Sequence, residues 1–103
     1  MGLKEIITGG KKMKVTAVCT VVNSMGLHAR PACILVQEAA KYEAEIRISG
    51  GAAGEPVDAK SLMSILTLAA GKGTVLEITA EGEDASMALD ALCRLFADGF
   101  DEE

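Results

Sequence analysis

The chain has no tryptophan, one tyrosine and two phenylalanines among its 103 residues. Half of the residues are nevertheless apolar, so the core must be built from Ala, Leu, Ile, Val and Met. Only three cysteines occur, Cys19, Cys33 and Cys93, and no two have Cys-x-x-Cys spacing. An odd count without such spacing argues against a disulfide framework and against a zinc site. The cysteines are expected to be reduced, small core hydrophobes in a reducing compartment. No apolar run approaches the ~20 residues of a membrane span. The start, Met1 to Lys12, lacks the apolar stretch of a signal peptide. It begins Met-Gly, but Ile6 stands where a myristoylation motif has Ser or Thr. A soluble, unprocessed, cytoplasmic protein is expected. The formal charge of −5 argues against nucleic acid or an anionic membrane as partner. No cofactor and no metal are expected.

A length of 103 residues suits one domain. Residues 1–12 read as an appendage, because Gly9, Gly10, Lys11 and Lys12 form a flexible basic break. They are expected to be an N-terminal extension, an alternative start before Met13 or a cloning scar. The domain proper is placed at residues 13–103.

From Lys14 to Val22 the pattern is strand-like, with Val15, Ala17, Cys19 and Val21 on one face. Asn23 to Gly26 reads as a turn. A helix follows from Ala29 to Tyr42, with Ala32, Leu35, Val36, Ala39 and Ala40 at helical spacing. Pro31 fits its first turn and places the start near His28. Glu45 to Ser49 reads as a strand with Ile46 and Ile48 inward, and a glycine-rich hairpin leads to a short strand around Val57. Ser61 is a candidate N-cap for a short helix bearing Leu62, Ile65, Leu66 and Ala69. Thr74 to Ala80 forms the fourth strand, with Leu76, Ile78 and Ala80 inward. Asp84 is expected to cap a last helix striped with Ala85, Ala88, Leu89, Leu92, Leu95 and Phe96. Gly99 closes it, and the tail Asp101-Glu102-Glu103 is expected to fray. The order β-α-β-β-α-β-α predicts an α+β fold of two layers, a sheet with helices on one side.

The single histidine, His28, lies at a loop-to-helix junction followed by Ala29-Arg30-Pro31. A helix N-terminus presents unpaired N–H groups and partial positive charge, which suit a phosphoryl group. Arg30 adds forked donors for phosphate oxygens. Gly26 permits close backbone approach or positive φ. A neutral imidazole can attack phosphorus. The competing reading is that His28 merely caps the helix, and from local physics alone that reading is the stronger.

Longer motifs shift the balance. Gly26-Leu27-His28-Ala29-Arg30-Pro31-Ala32 resembles the active-site signature of the HPr phosphocarriers of the bacterial phosphotransferase system. Asp58-Ala59-Lys60-Ser61-Leu62-Met63 resembles that family's regulatory serine segment. Leu66 to Ala69, Lys72 to Thr74 and Ala80 to Asp84 also follow the family pattern, and the resemblance covers Met13 to Phe100. It implies an open-faced β-sandwich, a four-stranded antiparallel sheet covered by three helices. It implies that His28 takes phosphate on Nδ1 from enzyme I, charged by phosphoenolpyruvate, and passes it to the A component of a sugar-specific enzyme II. Arg30 would assist, and the N–H groups of Ala29 and Arg30 would hold the phosphoryl oxygens. Such a protein is a monomeric shuttle and not a stand-alone enzyme. Ser61 matches the serine modified by HPr kinase/phosphorylase in many relatives, but a plain N-cap remains an equal reading. Leu62, Met63 and Leu66 lie where the family docks its partners, and Met63 is the expected interface residue.

Met25 departs from the small polar residue of many sugar-system members, while nitrogen-branch relatives can carry an apolar residue there. A regulatory or nitrogen-branch protein controlled through Ser61 is therefore the alternative. A Cys33-dependent enzyme is a third, with Cys33 a nucleophile paired with His28.

Overall fold

Period-two burial organises the sheet, and period-3.6 burial organises the helices laid on it. The computed structural model describes residues 4–9 and 12–102, with side chains from Met13 onward. The elements are β1 (Lys4–Gly9), β2 (Lys12–Thr20), α1 (Ala29–Ala39), β3 (Glu45–Gly50), β4 (Val57–Asp58), α2 (Leu62–Leu66), β5 (Val75–Glu81) and α3 (Ala85–Ala97). A single 3-10 turn, Gly99–Asp101, follows α3.

From β2 to α3 the order is the expected β-α-β-β-α-β-α. All pairings are antiparallel, in the spatial order β1-β2-β5-β3-β4. The four expected strands are therefore present, and β1 is an addition that pairs with β2 from Lys4↔Ala17 to Gly9↔Lys12. Residues 1–3, 10 and 11 of the expected extension lie outside the described residues, as does Glu103.

Val15, Ala17 and Cys19 of β2, Ile46 and Ile48 of β3, and Leu76, Ile78 and Ala80 of β5 all point into the core. Register places them side by side, with Val15 opposite Ala80, Ala17 opposite Ile78 and Ile48 opposite Ile78. Helix α3 covers this face with Ala85, Ala88, Leu89, Leu92 and Phe96, and α1 adds Ala32, Leu35 and Ala39. Truncating one of these large side chains to alanine costs about 2–5 kcal/mol. The other face of the sheet is open. Lys14, Arg47, Glu77 and Glu81 line a hollow of about 550 Å³ there, away from His28.

Element ends differ from expectation for local reasons. Helix α1 stops at Ala39, and α2 stops at Leu66 before Ala69, which adopts φ +48°. Asp84 holds the N-cap position of α3, yet its side chain does not cap that helix. Its two oxygens instead accept the backbone N–H groups of Glu43 and Ala44, each at 2.9 Å, and tie the α1–β3 loop to α3. Among the described residues no helix is long and apolar enough to cross a membrane.

Candidate functional site

The site begins in the loop between β2 and α1. Val21 anchors it by exchanging backbone bonds with Thr74 and Gly73. Asn23 is buried, and its Nδ2 donates to the Gly26 carbonyl at 2.8 Å while Gly26 N–H donates back to the Asn23 carbonyl. Gly26 takes φ +69°, and a Cβ there would lie 2.6 Å from the carbonyl oxygen of Ala70. Only glycine fits this seat. Leu27 N–H then donates to that same carbonyl at 2.8 Å. The segment carrying His28 is thus pinned to the α2–β5 connection.

His28 is the N-cap residue of α1, with extended backbone (φ −78°, ψ −173°), and its carbonyl accepts the first helical bond from Ala32. Pro31 lacks an N–H, which leaves Ala29 and Arg30 to present the donors of the first turn. The His28 side chain makes no capping hydrogen bond. The reading of His28 as a mere cap is therefore overturned, because its ring turns away from the helix.

The ring turns toward the C-terminal tail. His28 Nε2 lies 2.8 Å from Glu102 Oε2, and Arg30 Nη1 lies 3.9 Å from the same oxygen. The other oxygen, Oε1, accepts from buried Asn23 Nδ2 at 2.8 Å. The side chain of Glu102 is 12% exposed, against 36% for His28 and 67% for Arg30. Partial burial works to raise the Glu102 carboxyl. The hydrogen bonds from Asn23 and His28, with the charges of His28 and Arg30, outweigh it and hold the group below its ordinary value. Nδ1 of His28 makes no hydrogen bond or ion pair among the described residues.

The tail does not fray over Asp101 and Glu102, contrary to expectation. Gly99 (φ +61°) reverses the chain, and Phe100 is buried against Phe96 edge-to-face, with ring centroids 5.1 Å apart. Glu102 N–H donates to the Gly99 carbonyl, which closes the turn. Glu102 and Asn23 were not among the expected site residues. The available signal was an apolar residue directly after the closing glycine, a pattern that packs the chain back onto its helix.

Ser61 is the N-cap of α2, and its Oγ accepts from Ser64 N–H at 3.3 Å. Of the three apolar residues singled out on α2, Met63 is 74% exposed, Leu66 is partly exposed and Leu62 is half-buried against the core. Met25, beside Gly26, is as exposed as Met63. Cys33 is half-buried in α1 and has no hydrogen bond to His28 among the described residues. Cys19 and Cys93 are buried with sulfurs 3.3 Å apart. Their mutual hydrogen bond, with burial and the neighbouring Cys93, pushes the Cys19 thiol up, so it stays protonated. Among the described residues no three His, Cys, Asp or Glu side chains gather as metal ligands would.

A histidine at a helix N-terminus that makes no capping bond, with an arginine two residues on, is an arrangement able to hold an anion. Comparison with known proteins makes the class specific. The family model described as the PTS HPr component phosphorylation site matches residues 15–98. The phosphocarrier protein HPr of Pseudomonas aeruginosa is 45% identical over 83 residues, which span 81% of this chain and 91% of that protein. A multiphosphoryl transfer protein of Vibrio cholerae is 49% identical over 78 residues, 75% of this chain but 20% of that longer protein. The crystal structure of HPr-C-His from Thermoanaerobacter tengcongensis superposes with a TM-score of 0.79 at 38% identity, covering 85% of this chain and 97% of that one. The chain belongs to the HPr family, the phosphocarrier components of the phosphotransferase system.

Proposed function

We propose that His28 accepts a phosphoryl group from phosphorylated enzyme I and delivers it to the A component of a sugar-specific enzyme II in the cytoplasm. The observation that carries this reading is a His28 ring that leaves its helix uncapped while Nδ1 has no hydrogen-bond partner among the described residues. Nδ1 attacks phosphorus as the bond to the donor breaks. The phosphoryl oxygens then lie against the N–H groups of Ala29 and Arg30 at the positive end of α1. The Arg30 guanidinium adds a mobile cation, exposed enough to follow the group in and out. An open site of this kind holds the phosphate without sealing it in, which suits a shuttle. Exposed Met63 and Leu66 of α2, half-buried Leu62 and exposed Met25 beside Gly26 supply adaptable apolar contacts for successive partners. Relatives that exist as one segment of a multiphosphoryl transfer protein support a place in such a relay.

The test is incubation of the chain with enzyme I and phosphoenolpyruvate. Acid-labile, base-stable phosphate should appear on the parent and be absent from His28→Ala. Incorporation into His28→Ala would overturn the assignment. Supplying sugar-type and nitrogen-type A components in turn decides the branch, which Met25 leaves open. The phosphocarrier domain is assigned to residues 13–103, so a monomeric chain starting at Met13 should accept phosphate as the full chain does.

A regulatory reading rests on Ser61. A phosphate on its Oγ would sit where the hydroxyl already accepts an N–H from the first turn of α2. It would also put negative charge beside Met63 and weaken docking of an acidic partner. HPr kinase/phosphorylase should label the parent and not Ser61→Ala, and no incorporation into the parent removes this reading.

A further inference from the structure

We infer that Cys19 and Cys93 are a modification site, a dithiol that a small peroxide converts to a disulfide joining β2 to α3.

Their sulfurs are 3.3 Å apart, although the residues are 74 positions apart in the chain. Closing that gap to the ~2.05 Å of a disulfide asks ~0.6 Å of each sulfur. Both residues stand on regular elements. Cys19 is on the inward face of β2 opposite Leu76, and Cys93 is on the inward stripe of α3 with Leu89, Leu92 and Phe96. The pair is also within reach of solvent. Each cysteine is 5% exposed, and both line a hollow of about 300 Å³ bounded by Val18, Val22, Phe96 and Ala97. Val22 at its rim is exposed. Such a hollow, walled mostly by apolar side chains, admits a small uncharged oxidant and excludes a bulky charged one.

The hydrogen bond assigns the order of events. The Cys19 S–H donates to the Cys93 sulfur. A hydrogen bond to a sulfur favours negative charge on it, and the thiolate is the attacking form. Cys93 is therefore oxidised first. The same hydrogen bond, with burial, keeps Cys19 protonated, so Cys19 is the resolving thiol. The Cys93 thiolate attacks one peroxide oxygen and the O–O bond breaks. The departing hydroxide takes up the proton that Cys93 released and leaves as water. Cys93 is now a sulfenic acid. The Cys19 sulfur attacks the Cys93 sulfur, the S–O bond breaks, and the departing hydroxide takes the Cys19 proton as a second water. Two thiols and one peroxide become one disulfide and two waters. A dithiol reductant reopens the bridge by exchange. While closed, it encircles the segment that holds both His28 and Ser61 and restricts the unfolded chain.

The test exposes the folded full chain to hydrogen peroxide, alkylates the remaining thiols in denaturant and maps all three cysteines by mass spectrometry. Half-buried Cys33 is the internal reference. The parent should yield a peptide cross-linked through Cys19 and Cys93. Its thermal midpoint should rise by about 10 °C and return on treatment with dithiothreitol. Recovery of Cys19 and Cys93 as alkylated thiols after Cys33 has been oxidised would overturn the inference, as would bridges made only to Cys33. Glutathione disulfide should leave the pair reduced, and a bridge formed as readily as with peroxide would overturn the assignment to a small oxidant. Dimedone should trap a sulfenic acid on Cys93 in Cys19→Ser and none on Cys19 in Cys93→Ser. Trapping on Cys19 alone would overturn the roles given to the two sulfurs. If either variant failed to fold, the cross-link in the parent would still decide whether the site exists.

Discussion

Two helix starts in this protein solve the same local problem in opposite ways. At α2, Ser61 turns its hydroxyl back and accepts the Ser64 N–H, so the helix closes its own end. At α1, His28 occupies the same position with extended backbone, yet its ring turns to Glu102 and caps nothing. A hydroxyl or carboxamide cap is worth ~1 kcal/mol, and α1 forgoes it. The donors left open at α1 are those to which the proposed phosphoryl group is assigned. Stability there comes from outside the helix, through the glycine seat at Ala70, buried Asn23 and the anchored tail. The uncapped helix end depends on distant parts of the chain, whereas the closed end depends on one side chain.

The largest test of that contrast is Phe100→Ala. It should cost about 3 kcal/mol in urea unfolding, the scale for deleting a buried phenylalanine. It should also release Glu102 and slow phosphoryl acceptance at His28, while the Ser61 cap is unaffected. Next is Gly26→Ala. It should cost about 2–3 kcal/mol, because alanine meets both positive φ and the Ala70 carbonyl. Equal stability of parent and variant would show that the seat is not needed. Smaller again is an exchange of caps. Ser61→Ala should cost ~1 kcal/mol. His28→Ser, which supplies the hydroxyl that α1 lacks, should leave stability within ~0.5 kcal/mol of the parent or raise it, and it should accept no phosphate. A loss at His28→Ser as large as at Ser61→Ala would erase the distinction between the two ends.

The smallest expected effect concerns a third helix start. The N–H of Glu43, opposed by partial burial and joined by the N–H of Ala44, holds the Asp84 carboxyl below its ordinary value. The folded state therefore binds fewer protons at this group than the unfolded chain does. Its contribution is present above the unfolded value of about 3.9 and is lost as pH falls through the lower folded value. Between about pH 5 and pH 3, the parent should lose stability more steeply than Asp84→Asn. Parallel curves would show that the loop contact carries no linkage.

Much of the fold was legible because burial leaves a period. Val15, Ala17 and Cys19 alternate, Leu89, Leu92 and Phe96 recur at helical spacing, and each set is buried as expected. Pro31 marked the start of α1, and Ser61 marked that of α2. Helix α2 was read too long, since Leu68 is buried in the turn beyond it and not on a continuing helical face. Strand β1 went unread because a short segment beside a glycine–lysine break gives no sign that β2 offers it an edge. At Asp84 the residue type was right for a cap, but two N–H groups from another loop competed for the same carboxylate and won.

The sequence by itself determined the order of the elements from β2 to α3, their inward faces and the placing of His28 at a helix start, since these follow from local periodicity and backbone chemistry. Only the tertiary structure decided what the His28 ring would touch. An acidic residue in a C-terminal tail carries no local mark to distinguish a solvated carboxylate from one held by Asn23 and His28. That choice depends on a chain reversal at Gly99 and the burial of Phe100, which bring together groups remote in sequence.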